Sequence, residues 1–324
     1  MSVIAGCSHF DGIMLLADCR VTIKKSNNKY IYSDSVQKLF ALTENTGLGF
    51  VGNINIASYI IGELLHQLKI FRKKENEKLH PVLLHSWLPR FFATCYKRLS
   101  SKRVKDNEVN FMVGSIIHGL PNEIERCKVS EILDKAFNGK SPIQRNWLPN
   151  ILFEVIKTPQ NEKTVLIGDC PKGLLYYMKS PDFHPVDVKP LEYCAIGSGE
   201  SVVCQIDNYF DWIFAGEIGN PYVESFSLRE AVNSFIATNK IESVGGLYPI
   251  MSISSKGQMW LGQSLHRPKD GATVSLNIEK DGKFILYNDK TNIKIESLYP
   301  WDTNIGKIKK DNRFDYLRNG YNFH

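Results

Sequence analysis

The chain has 324 residues, long for one average domain and short for three, and its 43% apolar and 23% charged side chains are enough to bury a sizeable core and exclude wholesale disorder. With 40 basic and 34 acidic residues the formal charge is +6, too mild to call for nucleic acid or an anionic membrane as partner. No run approaches the roughly 18 to 20 apolar residues of a membrane span, and the opening MSVIAGCSHFDG lacks the basic head and apolar core of a secretory signal, so a cytoplasmic, unprocessed chain is expected.

The first fifty residues read as strands at 3–8, 12–18, 38–43 and 47–52, with Asp11-Gly12 and the stretch from Glu44 to Gly47 as hairpin turns. From Asn53 the period changes. Ala57, Ile60, Ile61, Leu64, Leu65 and Leu68 recur at helical spacing, and Arg72, Lys73 and Lys74 close that helix where its dipole favours cations. A second helix is expected over 80–98, with Pro81 in its first turn and Pro89 kinking or splitting it.

Further strands are expected at 109–117, 151–156, 164–169 and 173–178, a third helix over 200–213, and a fourth over 228–239 behind a capping box of Ser227 and Glu230. Short strands at 251–254 and 258–263 follow, then one hairpin in VSLNIEKDGKFILYN and a basic tail. Strands and helices in such blocks imply an antiparallel two-sheet core with helices outside. The expected division is a core over 1–263, elaborated near 101–162, and a C-terminal extension over 264–324.

Seven cysteines, an odd number without a CxxC pair, read as reduced thiols. Cys7, His9 and Cys19 lack the paired spacing of zinc ligands, and there is no P-loop or dinucleotide fingerprint, so neither metal nor cofactor is expected. The clustered bases around Lys97 to Lys105 and Lys307 to Arg313 read as solvated surface, and His66, His85 and His184 show no partner pattern. Ser2 draws more interest. Removal of Met1 would leave it a free α-amine with a pKa of about 7.7 to 8.0, so that a hydroxyl and a base would share one residue.

The segments SVIAG, DGIMLLADCRVT, SVQKLFAL and GLGFVGN, in that order, resemble the N-terminal part of proteasome-type peptidases of the N-terminal-nucleophile (Ntn) hydrolase superfamily, as does YCAIGSGES at 193–201. The resemblance covers about residues 2–100 and 163–263. It implies an α+β fold, the four-layer αββα antiparallel sandwich, and an N-terminal serine amidohydrolase, foremost a peptidase acting on peptide or protein substrates. A small-amide hydrolase, a peptide ligase or an inactive scaffold or interaction subunit on the same fold are the alternatives, and a homo-oligomer is the implied assembly.

Carried over by position, the resemblance makes Ser2 the nucleophile and Lys38 the ammonium that tunes it. Asp18 would fix Lys38, Gly52 would offer its N–H to the oxyanion, Ser198 would bond the α-amine, and Arg20 would brace Asp18 or the neighbouring loop. Val21, Val36, Phe40, Phe50 and Ile54 would line an uncharged pocket before the scissile bond, with Phe50 as its floor. Lys38→Ala is expected to abolish turnover at modest cost in stability. The chain departs from the family at NKIESVGGLYP, where an Asp-x-x-Ser-Gly turn is usual. Either Glu242 and Gly245 or Ile241 and Val244 occupy those places. The family's acidic residue near Asn55 or Ile56 is missing too, and with no propeptide before Ser2, activation would rest on loss of Met1.

Overall fold

The computed structural model describes residues 2–9, 12–24, 30–33, 36–75, 81–100, 108–117, 153–158, 161–166, 172–188, 192–198, 200, 221–239, 241, 243–254, 257–267, 272–278, 284–290 and 292–296. The strands up to the first helix are β1 (Val3–His9), β2 (Gly12–Ala17), β3 (Val21–Lys24), β4 (Tyr30–Ser33), β5 (Leu39–Thr43) and β6 (Thr46–Gly52). Helices α1 (Ile54–Glu75) and α2 (Pro81–Ser100) follow. Next come β7 (Val109–Ile117), β8 (Phe153–Thr158), β9 (Asn161–Leu166), β10 (Lys172–Lys179), β11 (Pro185–Val188) and β12 (Tyr193–Gly197). Helix α3 (Pro221–Asn239) precedes β13 (Ile250–Ser254), β14 (Gly257–Leu261), β15 (Gln263–Arg267), β16 (Ala272–Ile278), β17 (Phe284–Asn288) and β18 (Ile293–Glu296).

Two five-stranded sheets form the centre, in the orders β12-β1-β2-β13-β14 and β11-β10-β7-β6-β5, with antiparallel pairing throughout. Alternation along each strand sorts side chains to two faces. Ile4, Leu15 and Met251 of the first sheet meet Met112, Ile116 and Leu175 of the second in one cluster between the sheets. The opposite face of the second sheet, with Phe111, Val113, Leu174 and Tyr176, packs under α1 and α2. The opposite face of the first, with Val3, Ala5 and Leu16, packs under α3 through Leu228, Ala231 and Val232. These are the four layers of the expected α+β sandwich.

Helix α1 starts because Asn53 caps it, its Oδ1 accepting the N–H groups of Asn55 and Ile56 at 2.9 and 3.2 Å. Pro89 does not split α2, which runs uninterrupted from Pro81 to Ser100. Leu84 and Leu88 before and at that turn and Phe91 and Phe92 after it sink into one cluster, and this packing offsets the lost hydrogen bond. The capping box also fails, because the helix begins at Pro221 and Ser227 lies inside it. Proline at a first helical position needs no N–H partner, and that earlier start prevails. The expected helix over 200–213 lies outside the described residues apart from Glu200, as do the tail beyond 296 and most of 101–162.

After Gly262 the chain forms a four-stranded sheet, β15-β16-β17-β18, rather than the single hairpin expected. Leu276 and Phe284 of this sheet are buried in the cluster between the central sheets. No helix among the described residues is long and apolar enough to cross a membrane.

Candidate active site

Ser2 is 5% exposed and lies just before β1. Its main chain is fixed from both sides: the Ser198 N–H donates to its carbonyl at 2.9 Å, and Val3 pairs with Gly197. Gly197 has φ +86°, and a Cβ there would stand 2.3 Å from the Ser2 carbonyl oxygen, so glycine is required at this bend. Asp18, directly after β2, returns the contact, donating its N–H to the Val3 carbonyl at 3.2 Å and accepting the Val3 N–H on Oδ1 at 3.0 Å.

Lys38 enters from the segment before β5 and is 2% exposed. Its Nζ donates to Ser2 Oγ at 2.7 Å, to Asp18 Oδ1 at 2.7 Å, and to the Arg20 carbonyl. An ammonium so deeply buried would cost several kcal/mol without such partners. Burial pushes the Asp18 carboxyl up from the ordinary aspartate value, while the Lys38 ammonium and the N–H groups of Val3 and Gly245 pull it back down. Ser2, Asp18 and Lys38, distant in sequence, therefore meet at one buried point.

Arg20 donates its N–H to Asp18 Oδ2 at 3.2 Å. Its guanidinium lies 5.6 Å from the Tyr32 ring and fills the space beside Gly245, where a Cβ would stand 2.7 Å from Arg20 Cζ. Gly245 thus meets Asp18 through its backbone and Arg20 through the absence of a side chain. Ile241 is partly buried and Val244 buried, both in the apolar cluster under α3; Glu242 lies outside the described residues.

Gly52 ends β6 with φ +102°, and a Cβ there would stand 2.2 Å from the Glu108 carbonyl oxygen. That same carbonyl accepts the Asn53 N–H at 2.8 Å, so the turn into α1 is held by the residue before β7. Val36 and Phe50 are buried in the cluster under α1 and α2, with Val21, Phe40 and Ile54 partly buried against it; the Phe40 and Phe50 rings stack 6.3 Å apart.

A cavity of about 480 Å³ adjoins the nucleophile, bounded by Ser2, Gly52, Glu108, Lys179, Ser198 and Glu200. None of the five apolar residues lines it. Lys179 donates to Glu200 across its far wall, and that hydrogen bond leads the rise of the Lys179 ammonium above its ordinary value. Glu108, Lys179 and Glu200 escape a sequence reading of the site. The only trace of Glu108 and Lys179 is that each flanks a predicted strand; that those strands end at the same place is information the linear chain does not carry.

Cys7 and Cys19 are buried in clusters on opposite faces of the first sheet, so they cannot converge on one ion. Among the described residues no group of three His, Cys, Asp or Glu side chains could hold a metal. His85, which shows no partner pattern in the sequence, has a partner in the fold: its Nε2 lies 2.7 Å from Asp187 Oδ1, remote in sequence and close because α2 covers β10 and β11.

A four-layer antiparallel sandwich with a buried lysine bonded to a hydroxyl just before its first strand is the arrangement that the resemblance to Ntn hydrolases implies. Residues 2–122 match the family described as Proteasome subunit, so this segment of the chain is similar to proteasome subunits. The match spans β1 to β7 and stops before the strands that supply Lys179 and Ser198. No curated protein matches the sequence.

Proposed function

We propose that the protein is a proteasome-like peptidase whose nucleophile is Ser2 after loss of Met1. The observation that carries this reading is the 2.7 Å hydrogen bond from Lys38 Nζ to Ser2 Oγ, made by an ammonium also bound to Asp18. A positive charge at that distance favours the alkoxide character that attack requires.

In the proposed reaction the freed α-amine of Ser2 takes the hydroxyl proton as Oγ attacks the amide carbonyl. The Gly52 N–H donates to the developing oxyanion. As the C–N bond breaks, the proton passes from the α-amine to the departing amine, leaving an ester on Ser2. Water then attacks this ester, giving a proton to the α-amine, and as the C–Oγ bond breaks that proton passes to Oγ, which releases the acid and restores Ser2. Ser198 assists by holding the α-amine, and Arg20 by holding Asp18. The five apolar residues receive the side chain before the cut, which favours apolar over charged residues there. Assembly into a homo-oligomer and a cytoplasmic place of action belong to the same reading.

A non-catalytic scaffold subunit is the second reading, favoured by Gly245, which offers no hydroxyl if it is the counterpart of the family's turn serine. Intact-mass measurement separates the two. The peptidase should lack Met1 and gain one adduct from an electrophilic proteasome-type inhibitor, and Ser2→Ala should lose Met1 yet gain none. Quantitative retention of Met1 with no adduct would establish the scaffold.

A further inference from the structure

We propose that Glu108 makes the cavity beside Ser2 selective for substrates with a lysine or arginine on the leaving side of the scissile amide. The proposal rests on the Ser2 reading above and extends it to the other half of the substrate. Its starting point is the order of the second sheet, β11-β10-β7-β6-β5. The oxyanion donor Gly52 ends β6. The apolar set lies toward β5, with Phe40 on that strand, Val36 just before it and Ile54 at the start of α1. The cavity lies on the opposite side, toward β7 and β10, where Glu108 and Lys179 stand. A substrate with its acyl side chain among the apolar residues therefore sends its amine side into the cavity.

The charge of that cavity is uneven. Lys179 and Glu200 bind each other, so their charges largely cancel. Glu108 is exposed, and among the described residues its carboxylate has no ion-pair partner. The remaining lining side chains, such as those of Asn110, Ser180 and Ser198, are neutral. Among the lining side chains of the described residues one net negative charge remains, at the edge nearest Gly52. The Glu108 main chain is anchored there by the bond from Asn53, so its carboxylate cannot drift from the nucleophile by more than its own side chain. A cation entering the cavity gains a partner, and an anion meets repulsion.

The test uses internally quenched peptides with leucine before the cut and lysine, alanine or glutamate after it. The wild-type protein should favour lysine over glutamate by about five- to tenfold in kcat/KM, a range suited to a solvent-accessible charge pair, and the ratio should shrink as salt is raised. Glu108→Gln should level the series and Glu108→Lys should invert it. An unchanged lysine preference in Glu108→Gln would overturn the proposal. A second arm measures binding of the fluorescent lysine and glutamate peptides to Ser2→Ala and to Ser2→Ala with Glu108→Gln. Cleavage surviving in Ser2→Ala, or absent for every peptide in the wild type, defeats the Ser2 reading. The binding arm still decides on Glu108: tighter binding of the lysine peptide only when Glu108 is present supports it, and equal binding defeats it.

Discussion

At the scale of single residues, the coupling of Lys38 to Asp18 changes what a substitution should do. Asp18 is 0% exposed and Lys38 2%, at 2.7 Å from each other. Lys38→Ala leaves a buried carboxyl with backbone N–H groups as its main partners, and losing one member of such a pair costs about 3 to 5 kcal/mol. The modest stability cost expected from sequence thus gives way to a large one. Urea unfolding should show it, with Lys38→Met in combination with Asp18→Asn recovering part of the loss, while the proposed peptidase activity should be absent from both. A midpoint for Lys38→Ala within error of the wild type would contradict the argument.

The thiol of Cys194 behaves differently from an ordinary exposed cysteine. Burial pushes it up to about 12 from 9.0, with Lys179 lowering it and Glu200 raising it further. Thiolate is the form that reacts, and this rise keeps it scarce at pH 8. Iodoacetamide at pH 8 should leave Cys194 unmodified in the native protein and modify it in urea, as read by peptide mass. The sign for stability follows from the same shift: the unfolded thiol ionises first, so this residue weakens the fold as pH rises from 9 toward 12. Fast native alkylation at Cys194 would contradict its burial.

At the scale of elements, Arg229 of α3 ties the helix to two connections. Its Nε donates to the Tyr248 carbonyl at 2.9 Å, and its Nη2 to those of Leu261 and Gly262 at 2.7 Å each. Desolvation lowers its guanidinium from 12.5 to about 10, which leaves it charged at neutral pH. Arg229→Ala strands three carbonyls and should cost about 2 to 3 kcal/mol, with Arg229→Lys only partly restoring stability because an ammonium lacks the planar fork. Thermal unfolding measures both. How far such elements can be read in advance depends on their length and burial. Strands β1, β2, β6 and β7 are long and apolar, so their residues declare them. The four-residue strands β3, β4, β11 and β18 mix polar with apolar residues and exist because a neighbour offers its edge. Ser2, Asp18 and Lys38 become visible through the motifs around them. Glu108, Lys179 and Glu200 carry no motif, and only the strand order assembles them.

For the whole molecule, the sheet β15 to β18 should be needed for stability. Leu276 and Phe284 are 1% and 2% exposed within the central cluster, and the Phe284 ring lies 5.7 Å from that of Trp260. Burying a side chain of this size is worth about 1.5 to 3 kcal/mol, so a chain ending at residue 262 should lose at least that for each and expose an apolar patch. Light scattering and unfolding should report aggregation and a lower midpoint. A soluble truncated protein with unchanged stability would show that the central sheets stand alone.

The shielding of Ser2 also bears on how the protein should be produced. Its main chain is held by Gly197 and Asp18, and among the described residues it borders the cavity shared with Gly52 and Glu108. A purification tag fused ahead of residue 2 would make the Ser2 nitrogen part of a peptide bond. On the mechanism proposed above that nitrogen is the base, and an amide nitrogen cannot accept the proton. Material prepared that way should be silent in every peptide assay, and cleaving the tag back to Ser2 should restore it.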